Sequence, residues 1–255
     1  MPSFKITIAY DGSRYVGWQR QTNGRAVQEV IENALHELDG RDVTLHGAGR
    51  TDAGVHALGQ VASFSLERDM TPDVIVRSLN SKLPDEIRIL SADAVPAEFH
   101  ARFNAMSKTY RYRIWRGDVL NPFERAYAWH IFGPLDISGM AEAAGLVEGR
   151  HDFAAFQTVG GTSGSTERVI FTSRLTASGE GLVTYEIAGN GFLRHMVRAI
   201  VGTLVEVGRG RQRPAWMSEV IASRDRAVAG KTAPAHGLFL VRVDYGDVEF
   251  TSHVA

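Results

Sequence analysis

The sequence predicts an α+β protein made of two tandem ferredoxin-like, RRM-like halves whose antiparallel sheets join around a central cleft. Three observations predict it. In the first hundred residues, alternating and helical apolar patterns succeed one another as β-α-β-β-α-β, the order of the split βαβ unit. The same order recurs, with larger insertions, in the rest of the chain. The 255 residues allow two domains of ordinary size, and 44% hydrophobic against 22% charged residues supply a normal core. The boundary is placed near residues 100–106, giving halves of 1–104 and 105–255.

Residues 4–10, F-K-I-T-I-A-Y, alternate with period two and stop at Asp11-Gly12. Residues 26–38 put Val27, Val30, Ile31, Ala34, Leu35 and Leu38 on one helical face, closed by Asp39-Gly40. Val43–Leu45 starts a short strand leading into a glycine-rich loop, and residues 60–67 alternate again. Thr71-Pro72 opens a helix, with threonine as N-cap and proline at the first helical position, running to about Leu83. Residues 87–95 complete the first half. In the second half, Tyr110–Trp115 is a strand, and an alanine-rich helix over Ile137–Val147 leads into H-D-F-A-A-F. Val169–Ala177 and Leu182–Ala188 are strands, Phe192–Val207 is a long amphipathic helix, and Leu238–Asp244 is the last strand. Gly160–Thr166, G-G-T-S-G-S-T, is too small and polar to pack and reads as a mobile surface loop.

The composition removes several chemistries. With no cysteine there are no disulfides, thiolate nucleophiles or cysteine-bearing zinc sites. No apolar run approaches the roughly 20 residues of a membrane helix, and the start of the chain lacks a signal pattern, so a cytoplasmic protein is expected. A net charge of −1 does not mark a nucleic-acid binder as a whole. The kind of base says more. Lysine occurs only at 5, 82, 108 and 231, leaving arginine the other 24 of 28 basic residues. Arginine's planar fork suits phosphate and carboxylate, although a GC-rich genome raises its count as well. Local clusters are better evidence: Arg14, Arg20 and Arg25, then Arg209, Arg211 and Arg213 in G-R-G-R-Q-R.

Three stretches carry candidate chemistry. Residues 49–60, G-R-T-D-A-G-V-H-A-L-G-Q, set Asp52 two residues from Arg50 on a backbone able to turn sharply. A nearby arginine favours the ionised carboxylate. The same loop reads also as an ordinary turn with a surface ion pair, or, with His46 and His56, as a carboxylate–histidine metal site. Residues 107–116, S-K-T-Y-R-Y-R-I-W-R, put Lys108, Tyr110, Tyr112 and Ile114 on one strand face and Thr109, Arg111 and Arg113 on the other. Aromatics interleaved with bases resemble a stacking platform for nucleic acid, and equally an amphipathic strand whose tyrosines fill a core. In 189–202, G-N-G-F-L-R-H-M-V-R-A-I-V-G, Arg194 and Arg198 are four apart and share a face near a helix N-terminus. Arg198, flanked by apolar residues, is the one expected to be partly buried. A buried arginine needs a carboxylate, and Asp52 is the candidate.

Taken together, the motifs resemble the TruA family of tRNA pseudouridine synthases. The shared features are Y-D-G-S-R-Y-V-G-W-Q-R-Q, G-R-T-D-A-G-V-H-A, K-T-Y-R-Y, F-L-R-H-M-V-R-A-I-V-G and the late H-G-L-F-L, in order over nearly the whole chain. Tyr15 stands where the family would have phenylalanine. The resemblance implies the pseudouridine synthase fold, a basic cleft, a homodimer, and action without cofactor or metal on uridines 38–40 of the tRNA anticodon stem-loop. It implies Asp52 as nucleophile, Arg50 as a neighbour that gates or holds the target, Tyr110 as the stacking ring, and Arg198 as partner of the Asp52 carboxylate. Lys108 and the two arginine clusters, Arg14, Arg20, Arg25 and Arg209, Arg211, Arg213, become expected tRNA contacts. A non-catalytic RRM-like RNA-binding protein would explain the tyrosine strand but not the Arg50–Asp52 loop. A metal-dependent hydrolase lacks ligand spacing.

Overall fold

The structure, a computed structural model, describes residues 1–158, 164–179 and 181–246. Residues 160–163 of the expected glycine–serine loop lie outside them. The chain forms two compact units: Met1–Met106 with the chain from Leu240 onward, and Ser107–Phe239.

The first unit contains β1 (Ser3–Tyr10), α1 (Val27–Asp39), β2 (His46–Gly47), β3 (His56–Ser65), α2 (Pro72–Asn80) and β4 (Ile87–Val95). Leu240–Asp244, the greater part of β10 (Leu238–Asp244), returns to this unit although the sequence pattern assigned it to the second half. Strand order is β4-β1-β3-β10, with β2 on β3. β1 runs antiparallel to both β3 and β4, from Ser3↔Ser65 and Ser3↔Val95. Phe4, Ile6, Ile8 and Tyr10 turn one face of β1 into the core, as the alternation requires.

α2 ends at Asn80, short of the expected Leu83, and two further differences from the sequence reading have a physical reason. β3 begins at His56, four residues early, because all but two of its ten residues are buried and no alternation remains to be read. Val43–Leu45 makes no ladder. Leu45 N donates to Glu32 (3.2 Å) and its carbonyl accepts from Gln28 Nε2 (3.0 Å), so α1 side chains satisfy this backbone. At the far end of α1, Asp39 accepts from the N–H groups of Glu67 and Arg68, each at 3.1 Å, and from Arg41. Burial would raise its carboxyl pKa, but those donors hold it below the usual range.

The second unit contains β5 (Ser107–Arg116), β6 (Trp129–Ile131), α3 (Ile137–Gly145), β7 (Gly149–Asp152), β8 (Glu167–Ala177), β9 (Leu182–Gly189), α4 (Met196–Gly208) and α5 (Trp216–Ser223). Strand order is β5-β9-β8-β7, antiparallel throughout, with β6 parallel to β5. β6 and β7, of three and four residues, are too short to show a period, and α5 also went unforeseen. α4 is not amphipathic: its sequence is buried on nearly every side, from Met196 to Gly208. It also starts at Met196 rather than Phe192, because His195 before it adopts a left-handed φ of 63°. Arg194 therefore lies outside the helix, and the shared helical face expected for Arg194 and Arg198 does not form.

Candidate active site

Backbone hydrogen bonds pin the Asp52 loop. Trp18 N donates to Thr51 O (3.1 Å), Val55 N to Asp52 O (3.1 Å) and Gly54 N to Tyr15 O (3.3 Å), while Gly17 and Asp52 form an antiparallel bridge. Gln60 Nε2 donates to Gly49 O at 2.9 Å. The Gly17–Trp18 segment is itself docked on α1, whose first N–H groups have no partner within the helix. Val27 N donates to Gly17 O (3.1 Å) and Gln28 N to Trp18 O (2.9 Å). Helix, Y-V-G-W segment and carboxylate loop thus form one hydrogen-bonded stack. Gly17, at φ 114°, is indispensable there: a Cβ would lie 2.5 Å from Thr51 O.

Below the loop, Tyr10 and Thr51 share a buried hydroxyl–hydroxyl bond of 2.7 Å. Burial pushes the Tyr10 phenol far above its ordinary range, with hydrogen bonds to Thr51 and Gln60 offsetting part of it, so it stays neutral. Sequence reasoning placed Tyr10 in a strand and gave Thr51 and Gln60 no role. The signal was the period of β1, which points Tyr10 inward at the loop end. Asp52 is partly exposed, and Arg50 is exposed with no ion pair among the described residues. The turn built around an Arg50–Asp52 surface pair is therefore not what the loop is.

The metal alternative loses its ligands. His56 is 1% exposed and its Nδ1 accepts from Gly12 N at 3.1 Å, while the His46 ring packs on His100. Among the described residues, no three His, Asp or Glu side chains group to hold a metal ion.

In the second unit, Tyr110, Tyr112 and Ile114 are buried along one face of β5, and Arg111 pairs with Glu186 and Arg113 with Glu124. The Tyr110 ring is met edge-on by Phe192, centroids 5.0 Å apart. Arg198, the third residue of α4, donates from Nε to Ala233 O (2.8 Å), and Ala233 N donates to Arg198 O (3.0 Å). Tyr112 donates from its hydroxyl to Pro234 O at 2.7 Å. Burial pushes the Tyr112 phenol up, and the nearby Arg198 charge opposes that shift. The Ala233–Pro234 backbone therefore ties the tyrosine strand to the arginine helix. It is seated by a close approach at Gly202, where a Cβ would fall 1.6 Å from Lys231 O. The corner before α4 is fixed by Thr158, whose hydroxyl lies 2.6 Å from His195 Nδ1.

Of the arginines expected at tRNA, Arg14 pairs with Glu86, Arg20 with Glu32, Arg211 with Glu206 and Arg213 with Glu219. Arg25 lies over the Tyr15 ring at 6.0 Å, and Arg209 is exposed. Lys108 is partly exposed on β5. The arginine heads of these four pairs are exposed, and surface ion pairs are worth about 0–1 kcal/mol. No helix among the described residues is long and apolar enough to cross a membrane.

Comparison with known proteins places these motifs. The chain is 44% identical to tRNA pseudouridine synthase A of Ruminiclostridium cellulolyticum over 245 residues, covering 96% of this chain and all of that one. It is 46% identical to the Pelobacter propionicus protein of the same name, with the same coverage of both chains. Against the Myxococcus xanthus protein it is 42% identical over 247 residues, 97% of this chain and 93% of the other. A family model described as tRNA pseudouridine synthase matches residues 6–104 and 143–246. Asp52, Arg50 and Arg198 fall inside those matched segments and Tyr110 between them. The chain belongs to the tRNA pseudouridine synthase family.

Proposed function

We propose that the protein isomerises uridine to pseudouridine at positions 38–40 of the tRNA anticodon stem-loop, with Asp52 as nucleophile. In the reaction the C1′–N1 bond breaks, uracil turns, and a C1′–C5 bond forms. The C5 proton is lost and N1 takes one up, so the change is an isomerisation with no net redox. The target nucleotide must leave its stack, at a cost of a few kcal/mol. Tyr110 returns about 1–3 kcal/mol by stacking on it. Arg198 is the counter-charge of the attacking carboxylate. Arg50, exposed beside Asp52, holds the target in place. Lys108 and the arginines at 14, 20, 25, 209, 211 and 213 position phosphates without reading sequence. The enzyme works as a cytoplasmic homodimer; sedimentation of the purified protein checks the dimer, and cell fractionation the compartment.

One observation carries this reading: a partly exposed carboxylate on a loop bridged through its backbone to the Tyr15–Trp18 segment. A turn needs no such support, whereas a nucleophile needs its position fixed before substrate arrives. The test is tritium release from tRNA labelled at uridine C5. Release from an ordinary transcript and none from one carrying cytidine at 38–40 is the expected result. Equal release from both would remove the assigned positions, and none from either would remove the activity.

A further inference from the structure

A second aromatic group in the first unit takes no part in the chemistry above. The rings of His46 and His100 lie 4.8 Å apart, and those of His100 and Phe103 4.3 Å apart, tilted by about 35° in each case. The Arg102 guanidinium lies 5.8 Å from the Phe103 ring centre. Phe103, at the outer end of this row, is 77% exposed. Nothing in core packing requires so large an apolar ring to face water.

The turn that presents Phe103 is held on every side. Ala101 N donates to Ser63 Oγ (3.1 Å) and Tyr245 donates from its hydroxyl to Ala101 O (2.7 Å). His100 N donates to Asn104 Oδ1 (2.7 Å), Asn104 N to His100 O (3.1 Å), and Arg102 N to His100 Nδ1 (3.1 Å). Burial, then the neighbouring His46, lowers the His100 pKa, which keeps its ring neutral and stackable. A hollow of about 350 Å³ adjoins, lined in part by His46, Ser63, Phe99 and His100. An exposed aromatic ring on a hydrogen-bonded turn, backed by the flat rings of His100 and His46 and edged by a guanidinium, is the chemistry that stacks a nucleobase and meets its phosphate.

We propose that Phe103, with His100, His46 and Arg102, forms a stacking ledge for an unpaired nucleotide of the bound RNA outside the reacting uridine. The proposal rests on the reading of this chain as a tRNA-modifying enzyme. Position supports it. His46 lies on β2, and six residues later comes Asp52, so the two are at most about 22 Å apart along the chain. At about 3.4 Å per stacked nucleotide that is the span of roughly six, within one RNA hairpin.

The experiment compares wild type, Phe103→Leu, which keeps an apolar side chain but removes the ring, and Phe103→Trp, which restores a stacking face. Binding of tRNA and of a short single-stranded RNA is measured by filter retention, and tritium release gives KM and kcat. The ledge predicts about five- to hundredfold weaker binding and a matching rise in KM for Phe103→Leu, with kcat held, and recovery in Phe103→Trp. Wild-type affinity for both RNAs in Phe103→Leu overturns the ledge. A shift in oligomeric state of Phe103→Leu with unchanged RNA affinity per protomer also overturns it and assigns the ring to self-association. If wild type releases no tritium yet binds RNA through Phe103, the isomerase reading fails and the ledge stands.

Discussion

The carboxylate loop is held mainly by backbone bonding to backbone, the tyrosine–arginine group mainly by side chains bonding to backbone. Asp52 sits on backbone clamped by backbone, through contacts with Tyr15, Gly17 and Trp18 that lie within about forty residues of it. In the tyrosine–arginine group, side chains reach the backbone of another segment: the Tyr112 hydroxyl finds Pro234 O, 122 residues away, and Arg198 Nε finds Ala233 O. A site clamped by backbone fails when the backbone is crowded. A site held by side chains fails when the far segment is unseated. On the proposed mechanism the nucleophile sits on the loop clamped by backbone, and the ring that receives the base sits beside side chains anchored on another segment's backbone.

Substitutions separate the two. Asp52→Glu keeps the charge and moves it by one methylene, and should lower kcat about a hundredfold with the melting temperature unchanged. A near-normal rate would mean that the clamp on the loop is not what sets the rate. Gly17→Ala crowds Thr51 O and should cost ten- to hundredfold in kcat, more than its effect on stability would explain. Gly202→Ala, in the other unit, should act mainly on stability, by about 1–3 kcal/mol or more in a thermal melt, because Lys231 O must move. Rate loss from Gly202→Ala without a melting shift would contradict the contrast. Tyr10→Phe removes one partner of Thr51 and should destabilise by about 1 kcal/mol, a shift of roughly 2–4 °C. Smallest is the effect of Arg211→Gln with Arg213→Gln: the slope of log affinity for tRNA against log salt should shrink by about one per arginine. An unchanged slope would remove both from the phosphate contacts.

How far the sequence carries the reading differs between the units for the same reason. Period-two alternation located β1 and the buried tyrosines of β5, and the Asp52 loop was legible because its motif is contiguous. β3 hid its first residues because burial on nearly every position erases alternation. The amphipathic reading of α4 failed for the same cause, and its start was misplaced because one histidine, at φ 63°, turns the chain where no glycine or proline announces it. The Tyr10–Thr51 bond and the Ala233 carbonyl under Arg198 join residues far apart in sequence, and local patterns contain no trace of them.

The account turns on whether the Asp52 carboxylate does the chemistry while the rest of the molecule binds RNA. Single-turnover pseudouridine formation and tRNA affinity, measured on the same preparation of Asp52→Asn, decide it. The account predicts no pseudouridine and tRNA affinity within about threefold of wild type. Pseudouridine formed at a rate near wild type would contradict it.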